Sequence, residues 1–162
     1  ATKSGWVLEN GALTGNDNPN ADPEILVAIG ELATSIGAAD ITEIEFITTA
    51  FDVSDGGTLQ VRVRFNEEVD VTGTPQLTVV NDSRANHTLS YASGTGSNEL
   101  VFSLTIAAGG GGVIADGDEL SIGANATALN GGTIKDKGTN TASTITNVAS
   151  IGTAAGTITA AA

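Results

Sequence analysis

The sequence predicts an all-β protein, an antiparallel two-sheet sandwich of about seven strands behind an irregular N-terminal leader. Three observations carry this. Thr58-Leu-Gln-Val-Arg-Val-Arg-Phe65 sets Leu59, Val61, Val63 and Phe65 on one side and Gln60, Arg62 and Arg64 on the other, because side chains of a strand alternate with a period of two. Runs of the same kind follow one another as far as Ile106, each closed by Gly, Asn, Asp or Pro, the residues that make turns. Hydrophobic residues make up 40% of the chain but aromatic ones only 4%, so the core is built from Val, Ile and Leu. With 162 residues the chain is long enough for one such core, burying on the order of 70% of its unfolded surface.

Residues 1 to 24 read as irregular, with Gly5, Gly11 and Gly15 ahead of Asn16-Asp-Asn-Pro-Asn-Ala-Asp-Pro23, a dense cluster of turn formers. Trp6, Val7, Leu8 and Leu13 lie in this leader without a period that would bury them locally; they need a partner surface on this domain or on another chain. Asp22-Pro23-Glu24 offers an N-cap, a Pro at the first helical position and an early acid. Ile25, Leu26, Ile29, Leu32, Ala33 and Ile36 then follow at helical spacing up to Gly37. One short helix is the reading. A pair of short strands is its rival, since Ile and Val favour strands and Gly30 interrupts the run.

Strands are expected near 42 to 49, 57 to 66, 75 to 80, 86 to 92, 99 to 106, 119 to 124 and 143 to 149, with a further short one near 132 to 135. Ser93-Gly-Thr-Gly-Ser-Asn98 is a hairpin loop joining Leu89/Tyr91 to Leu100/Phe102. Gly109 to Gly112 is either flexible or tightly packed backbone, and residues 154 to 162 form a small-residue tail around Ile158. The chain thus divides into a docking arm (1 to 40), a sandwich (41 to 150) and a C-terminal tail (151 to 162).

The net charge is −13 and uneven, with thirteen acids against three bases in residues 1 to 70 and six against three thereafter. Such a surface repels phosphate backbones and anionic lipid, so neither nucleic acid nor membrane is an expected partner. Without Cys or Met there is no disulfide, no thiolate chemistry and little to oxidise. No apolar run approaches the roughly 18 residues of a membrane span, and a soluble protein is expected.

The catalytic inventory is thin. A nucleophilic triad needs a base, and the lone His87 alternates with Leu89 and Tyr91, which makes it a strand residue at the rim. No Gly-Lys-Ser/Thr follows a glycine run, so no phosphate loop is read. Asp116-Gly-Asp118-Glu119 is the best candidate for a hard cation such as calcium, through Asp116 and Asp118, because that ion wants several oxygens on one loop; a solvated turn is the default. Asp52 and Asp55 read as turn residues, and Glu67, Glu68 and Asp70 as a solvated strand end. Six aromatic residues in all are few for a sugar platform. No enzyme and no cofactor are expected.

The order of features resembles the bacterial immunoglobulin-like domains that occur in tandem in large surface and adhesin-type proteins and singly in phage virion proteins. The carrying residues are Leu59-Gln-Val-Arg-Val-Arg-Phe-Asn-Glu-Glu-Val69, Val71-Thr-Gly-Thr-Pro-Gln-Leu-Thr-Val79, Tyr91-Ala-Ser-Gly-Thr-Gly96 with Leu100-Val-Phe102, and Leu129-Asn-Gly-Gly-Thr-Ile-Lys-Asp136. They span roughly residues 42 to 140. Where members often close with an Ala-Gly-Asn type turn, this chain has Lys137-Gly-Thr-Asn140, which weakens any calcium role that the resemblance would lend Asp136.

The resemblance implies an immunoglobulin-like antiparallel β-sandwich. Together with the leader it implies a structural virion protein of a tailed phage, a capsid decoration or cement protein displayed on the capsid exterior. Its partners would be the major capsid protein or neighbouring virion subunits, with a homo-oligomer left open. The docking residues would be Trp6, Val7, Leu8, Leu13, Ile25, Ile29 and Ile158. The alternative is a spacer or ligand-binding module of a secreted bacterial adhesin or surface-layer protein at the cell surface.

Overall fold

The computed structural model describes residues 37 to 162, together with two strands in the leader, β1 (Gly5–Leu8) and β2 (Glu24–Ala28). The chain divides into two compact units, Ala1–Thr34 and Ser35–Ala162. In the first, β1 and β2 form a two-stranded antiparallel ladder that pairs Trp6 with Val27 and Val7 with Ile25. This corrects the expectations of an irregular leader and of a helix starting at Pro23, and the rival reading of short strands holds over Glu24–Ala28. Ile25 and Val27 are β-branched, stiff at χ1, and gain more from a partner strand than from a helical turn. The remainder of the expected helix, residues 29 to 36, lies outside the described residues.

The second unit is all-β apart from one short helix, with ten strands in a single curled, mixed sheet. They are β3 (Ile41–Phe46), β4 (Phe51–Asp52), β5 (Gly57–Thr72), β6 (Gln76–Asn81), β7 (His87–Ser93), β8 (Ser97–Ile106), β9 (Glu119–Ser121), β10 (Thr127–Ala128), β11 (Thr133–Asp136) and β12 (Ile158–Ala161). The main path runs β11-β5-β8-β7-β6-β9-β12-β4, with β3 on β5 and β10 on β6. Hairpins β6–β7 and β7–β8, with β8 returning to lie beside β5, make a Greek key. All neighbours are antiparallel except β12 and β4.

Core and surface follow the alternation. Leu59, Val61, Val63 and Phe65 of β5 are buried with Leu77 and Val79 of β6, Leu89 of β7, and Leu100 and Phe102 of β8. Burial of each such aliphatic or aromatic side chain is worth about 1.5–3 kcal/mol. On the opposite face Arg62 binds Glu45 and Glu99, and Arg64 binds Glu99 and Glu43 at 2.7 Å each. These five side chains form a cross-strand ladder over β3, β5 and β8. Exposed pairs of this kind contribute little stability, but they commit both arginines.

Two glycine positions are dictated by the fold. At Gly94 (φ 115°), in the β7–β8 hairpin, a Cβ would overlap the Glu99 carbonyl. The run Gly109 to Gly112 is a tight left-handed turn within Ala108–Gly112, with φ between 55° and 76°, a region that side chains disfavour. Gly110 is buried in it against Val53 and Ile114. Gly110 is thus the packed position of the run, while Gly109, Gly111 and Gly112 are exposed.

The C-terminal expectations need three corrections. Residues 143 to 149 form no strand: isolated bridges tie Thr144 to Asp40 and Ala142 to Lys135, and helix α1 (Ala149–Ala154) follows. The buried Asn147 side chain decides this. Its Oδ1 accepts from Ala126 N and its Nδ2 donates to Gly123 O, each at 2.9 Å, a local alternative to ladder bonds. The segment 151 to 162 is no appendage either, since β12 lies between β9 and β4 within the compact unit. The strand count rises from seven because β4, β10 and β12, of two to four residues, are too short to show a period. Among the described residues, no helix is long and apolar enough to cross a membrane.

Candidate functional site

The residues expected to dock a partner fall in different places. Trp6, Val7, Leu8 and Ile25 sit on the β1–β2 ladder of the first unit. Leu13 and Ile29 lie outside the described residues. Ile158 does not belong with them: it is 4% exposed, in the core of the second, all-β unit, opposite Leu120. It alternates with Ala160, also buried, but Ala and Thr around it carried too little hydrophobic contrast to mark a strand.

Asp116 and Asp118, expected to share a cation, have separate tasks. The Asp116 carboxylate accepts from Ala162 N at 3.0 Å and anchors the chain end. Asp118 is buried, and its Oδ2 collects three donors at 3.0 Å: Asn81 Nδ2, Ala115 N and Arg84 Nε. The bond from Asn81, then those from Ala115 and Arg84, hold its carboxyl below the ordinary carboxylate range against the opposing effect of burial. Among the described residues no group of three or more acidic or histidine side chains converges on a point that could hold a metal.

Asn81 organises this cluster. Its Oδ1 caps the β6–β7 turn by accepting from Ser83 N and Arg84 N at 3.0 Å. That fixes the amide orientation, so Nδ2 faces Asp118 and, at 3.4 Å, His87 Nε2. His87 must accept there, which places its proton on Nδ1. The ring is buried rather than at an open rim and walls an open cleft of about 360 Å³ with Thr88, Leu104, Ile106 and Val113. Desolvation pushes the His87 pKa down, with the Asp118 charge opposing it. The neutral imidazole and the amide act together as a structural plug.

A pH dependence follows. A buried His with a lowered pKa binds fewer protons than in the unfolded chain, so stability rises with pH. The contribution is complete above the ordinary His value of about 6.5 and is lost as pH falls below it. Melting followed by circular dichroism is expected to show a declining Tm between about pH 7 and pH 5, and His87→Gln should flatten that slope. An unchanged slope would remove His87 as its source.

The 136–141 loop holds a second buried acid that sequence reasoning passed over. Asp136 is 1% exposed, and its Oδ1 accepts from Thr139 N at 2.6 Å and Thr139 Oγ1 at 2.8 Å. Glu67, expected in a solvated strand end, bonds to Asp136 and helps keep its carboxyl low. The neighbours Glu68 and Asp70 are exposed, and Lys137 Nζ bonds Glu68 at 2.6 Å. The missed signal is parity: Glu67 occupies the position between Phe65 and Val69 on the inward side of β5, and Asp136 follows the buried Ile134 on β11.

The basic groups are almost all committed. Arg62, Arg64, Arg84 and Lys137 each hold an acid, which leaves Lys135 as the described cation without an ion pair among the described residues. Among the described residues, this arrangement leaves no cluster of unpaired cations. No protein-family model matches the chain, and no curated protein or solved structure matches it either.

Proposed function

We propose that this chain is a structural virion protein of a tailed phage, an immunoglobulin-like capsid decoration protein that docks on the capsid exterior through its N-terminal unit. The observation that carries the reading is the separate N-terminal unit, whose β1–β2 ladder holds Trp6, Val7, Leu8 and Ile25. A two-stranded ladder is marginally stable alone, and burying apolar groups against a capsid subunit would stabilise both partners at about 25 cal/mol per Å² of apolar area, reduced by the cost of ordering the arm. The Greek key of β5 to β8 supports the immunoglobulin-like assignment, and committed arginines on an acidic chain support a protein partner over a polyanion.

Deletion of residues 1 to 34 tests the proposal. The remaining unit holds its own core, so it is expected to keep the β-type circular dichroism and cooperative melting of the full chain. It should no longer cosediment with purified capsids. Undiminished capsid binding by the deletion variant would refute this function.

A further inference from the structure

The β7–β8 hairpin opens before its strands end. Its last ladder pair is Ser90 with Ser103, although β7 begins at His87 and β8 runs to Ile106. The same register would set Leu89 opposite Leu104, Thr88 opposite Thr105 and His87 opposite Ile106, and none of these pairs forms. Each strand stays with its outer neighbour instead. His87 and Leu89 pair with Val79 and Leu77 of β6, while Leu104 and Ile106 pair with Leu59 and Gly57 of β5.

The parity of the two ladders fixes which main-chain groups face the gap. Tyr91 N donates to Pro75 O at 2.9 Å, on the β6 side. Main-chain groups of successive residues point to opposite sides of a strand, so Leu89 and His87 also turn to β6, and Thr88 turns toward β8. Thr58 O accepts from Thr48 Oγ1 at 3.0 Å and so points away from β8; its ladder partner Thr105 turns its own main chain away from β5 and into the gap. Thr88 and Thr105, both exposed, therefore each offer an N–H and a C=O without a ladder partner. Unpaired strand edges are templates for another chain, and proteins blunt them with Lys, Pro, bulges or covering loops. The stretches 87–89 and 104–106 contain no Lys and no Pro. By contrast, the edge strand β11 is covered where Lys135 bridges Ala142, and the entry to β3 where Asp40 bridges Thr144.

The gap coincides with the cleft of about 360 Å³ that His87 walls. Leu104 is only partly buried there, and Val113 is 48% exposed. With His87 neutral, no side chain that lines the cleft is charged, in a chain of net charge −13. The lining has nothing to neutralise a carboxylate or an ammonium group, and desolvating either without a partner is costly. A neutral segment is its complement. We propose that the β7–β8 gap is an acceptor site for an extended, uncharged segment of another protein, which adds there as a β-strand. Its main chain bonds to the Thr88 and Thr105 edges, and its alternate, apolar side chains cover Leu104, Ile106 and Val113. Main-chain bonds then give the affinity and the apolar lining the selectivity, as in other sheet edges that recognise peptides.

The peptide acetyl-Thr-Val-Thr-Val-Thr-amide tests the site in an amide NMR titration of the full chain. In the free protein the Thr88 and Thr105 amides are expected to exchange freely. The peptide should shift the resonances of Thr88, Leu104, Thr105 and Val113 saturably and slow exchange at the two threonines several-fold. The same peptide N-methylated at alternate residues, or carrying Glu in place of Val, should bind several-fold more weakly. Thr88→Pro removes only the N–H that faces the gap, a change that an edge position tolerates, and Val113→Asp sets a charge at an exposed position of the lining. Each should weaken binding several-fold with the circular dichroism of wild type. Absence of saturable shifts, equal binding of the N-methylated or the Glu peptide, undiminished binding by Val113→Asp, or slow exchange at Thr88 and Thr105 in the free protein would each overturn the proposal. So would a dimer of the peptide-free chain in sedimentation that Thr88→Pro dissociates, since the gap would then belong to a second copy.

Discussion

Ile158→Ala lowers the stability of the all-β unit by about 2–5 kcal/mol in our expectation, the usual cost of emptying a buried aliphatic site. Ile158 lies 4% exposed in the core, at the first position of β12, and Ala160 is buried two residues on. Its strand bridges β9 and β4, so the damage is not confined to a fraying end. Urea denaturation of the full chain measures the effect, and capsid cosedimentation of the variant at a temperature where it remains folded should match wild type. A variant that melts with wild type but loses capsid binding would return Ile158 to a docking role.

Phe102→Ala is expected to cost about 3–5 kcal/mol, the range for truncating a buried aromatic. Phe102 is fully buried at the middle of β8, where it stands between Val61 of β5 and Tyr91 of β7 in register. Its ring meets that of Tyr91 edge to face, with centroids 6.1 Å apart, an arrangement that adds about 0.5–1.5 kcal/mol beyond area. Thermal and urea melting of Phe102→Ala beside Phe102→Leu separates lost volume from lost ring contact; a loss under about 1 kcal/mol for Phe102→Ala would mean that the core repacks.

The long strands were legible because their residues repeat the period of the pleat. β5 and β8 show it in sequence, and the alternation Leu59, Val61, Val63, Phe65 against Gln60, Arg62, Arg64 also separates core from ion-pair ladder. The same parity placed Glu67 inward, and its reading as a solvated end failed because residue type outweighed position. The expected helix from Pro23 failed in the opposite way: the capping residues were correct for a helix start, but the pairing of Trp6 with Val27 and Val7 with Ile25 is long-range and invisible to local spacing. Asp116 and Asp118 are two residues apart in sequence, yet one binds the Ala162 amide and the other the Asn81, Ala115 and Arg84 donors. Spacing within a loop does not say where its carboxylates turn.

By itself the sequence determined that this is an acidic, cysteine-free, all-β chain with an aliphatic core, because composition and a two-residue period are local properties that burial must respect. Only the tertiary structure decided which polar groups go inside. Asn81, Asp118 and Asn147 are buried where partners distant in sequence meet them, and a buried polar group is tolerated only where such partners converge. That convergence also draws the C-terminal strand into the core.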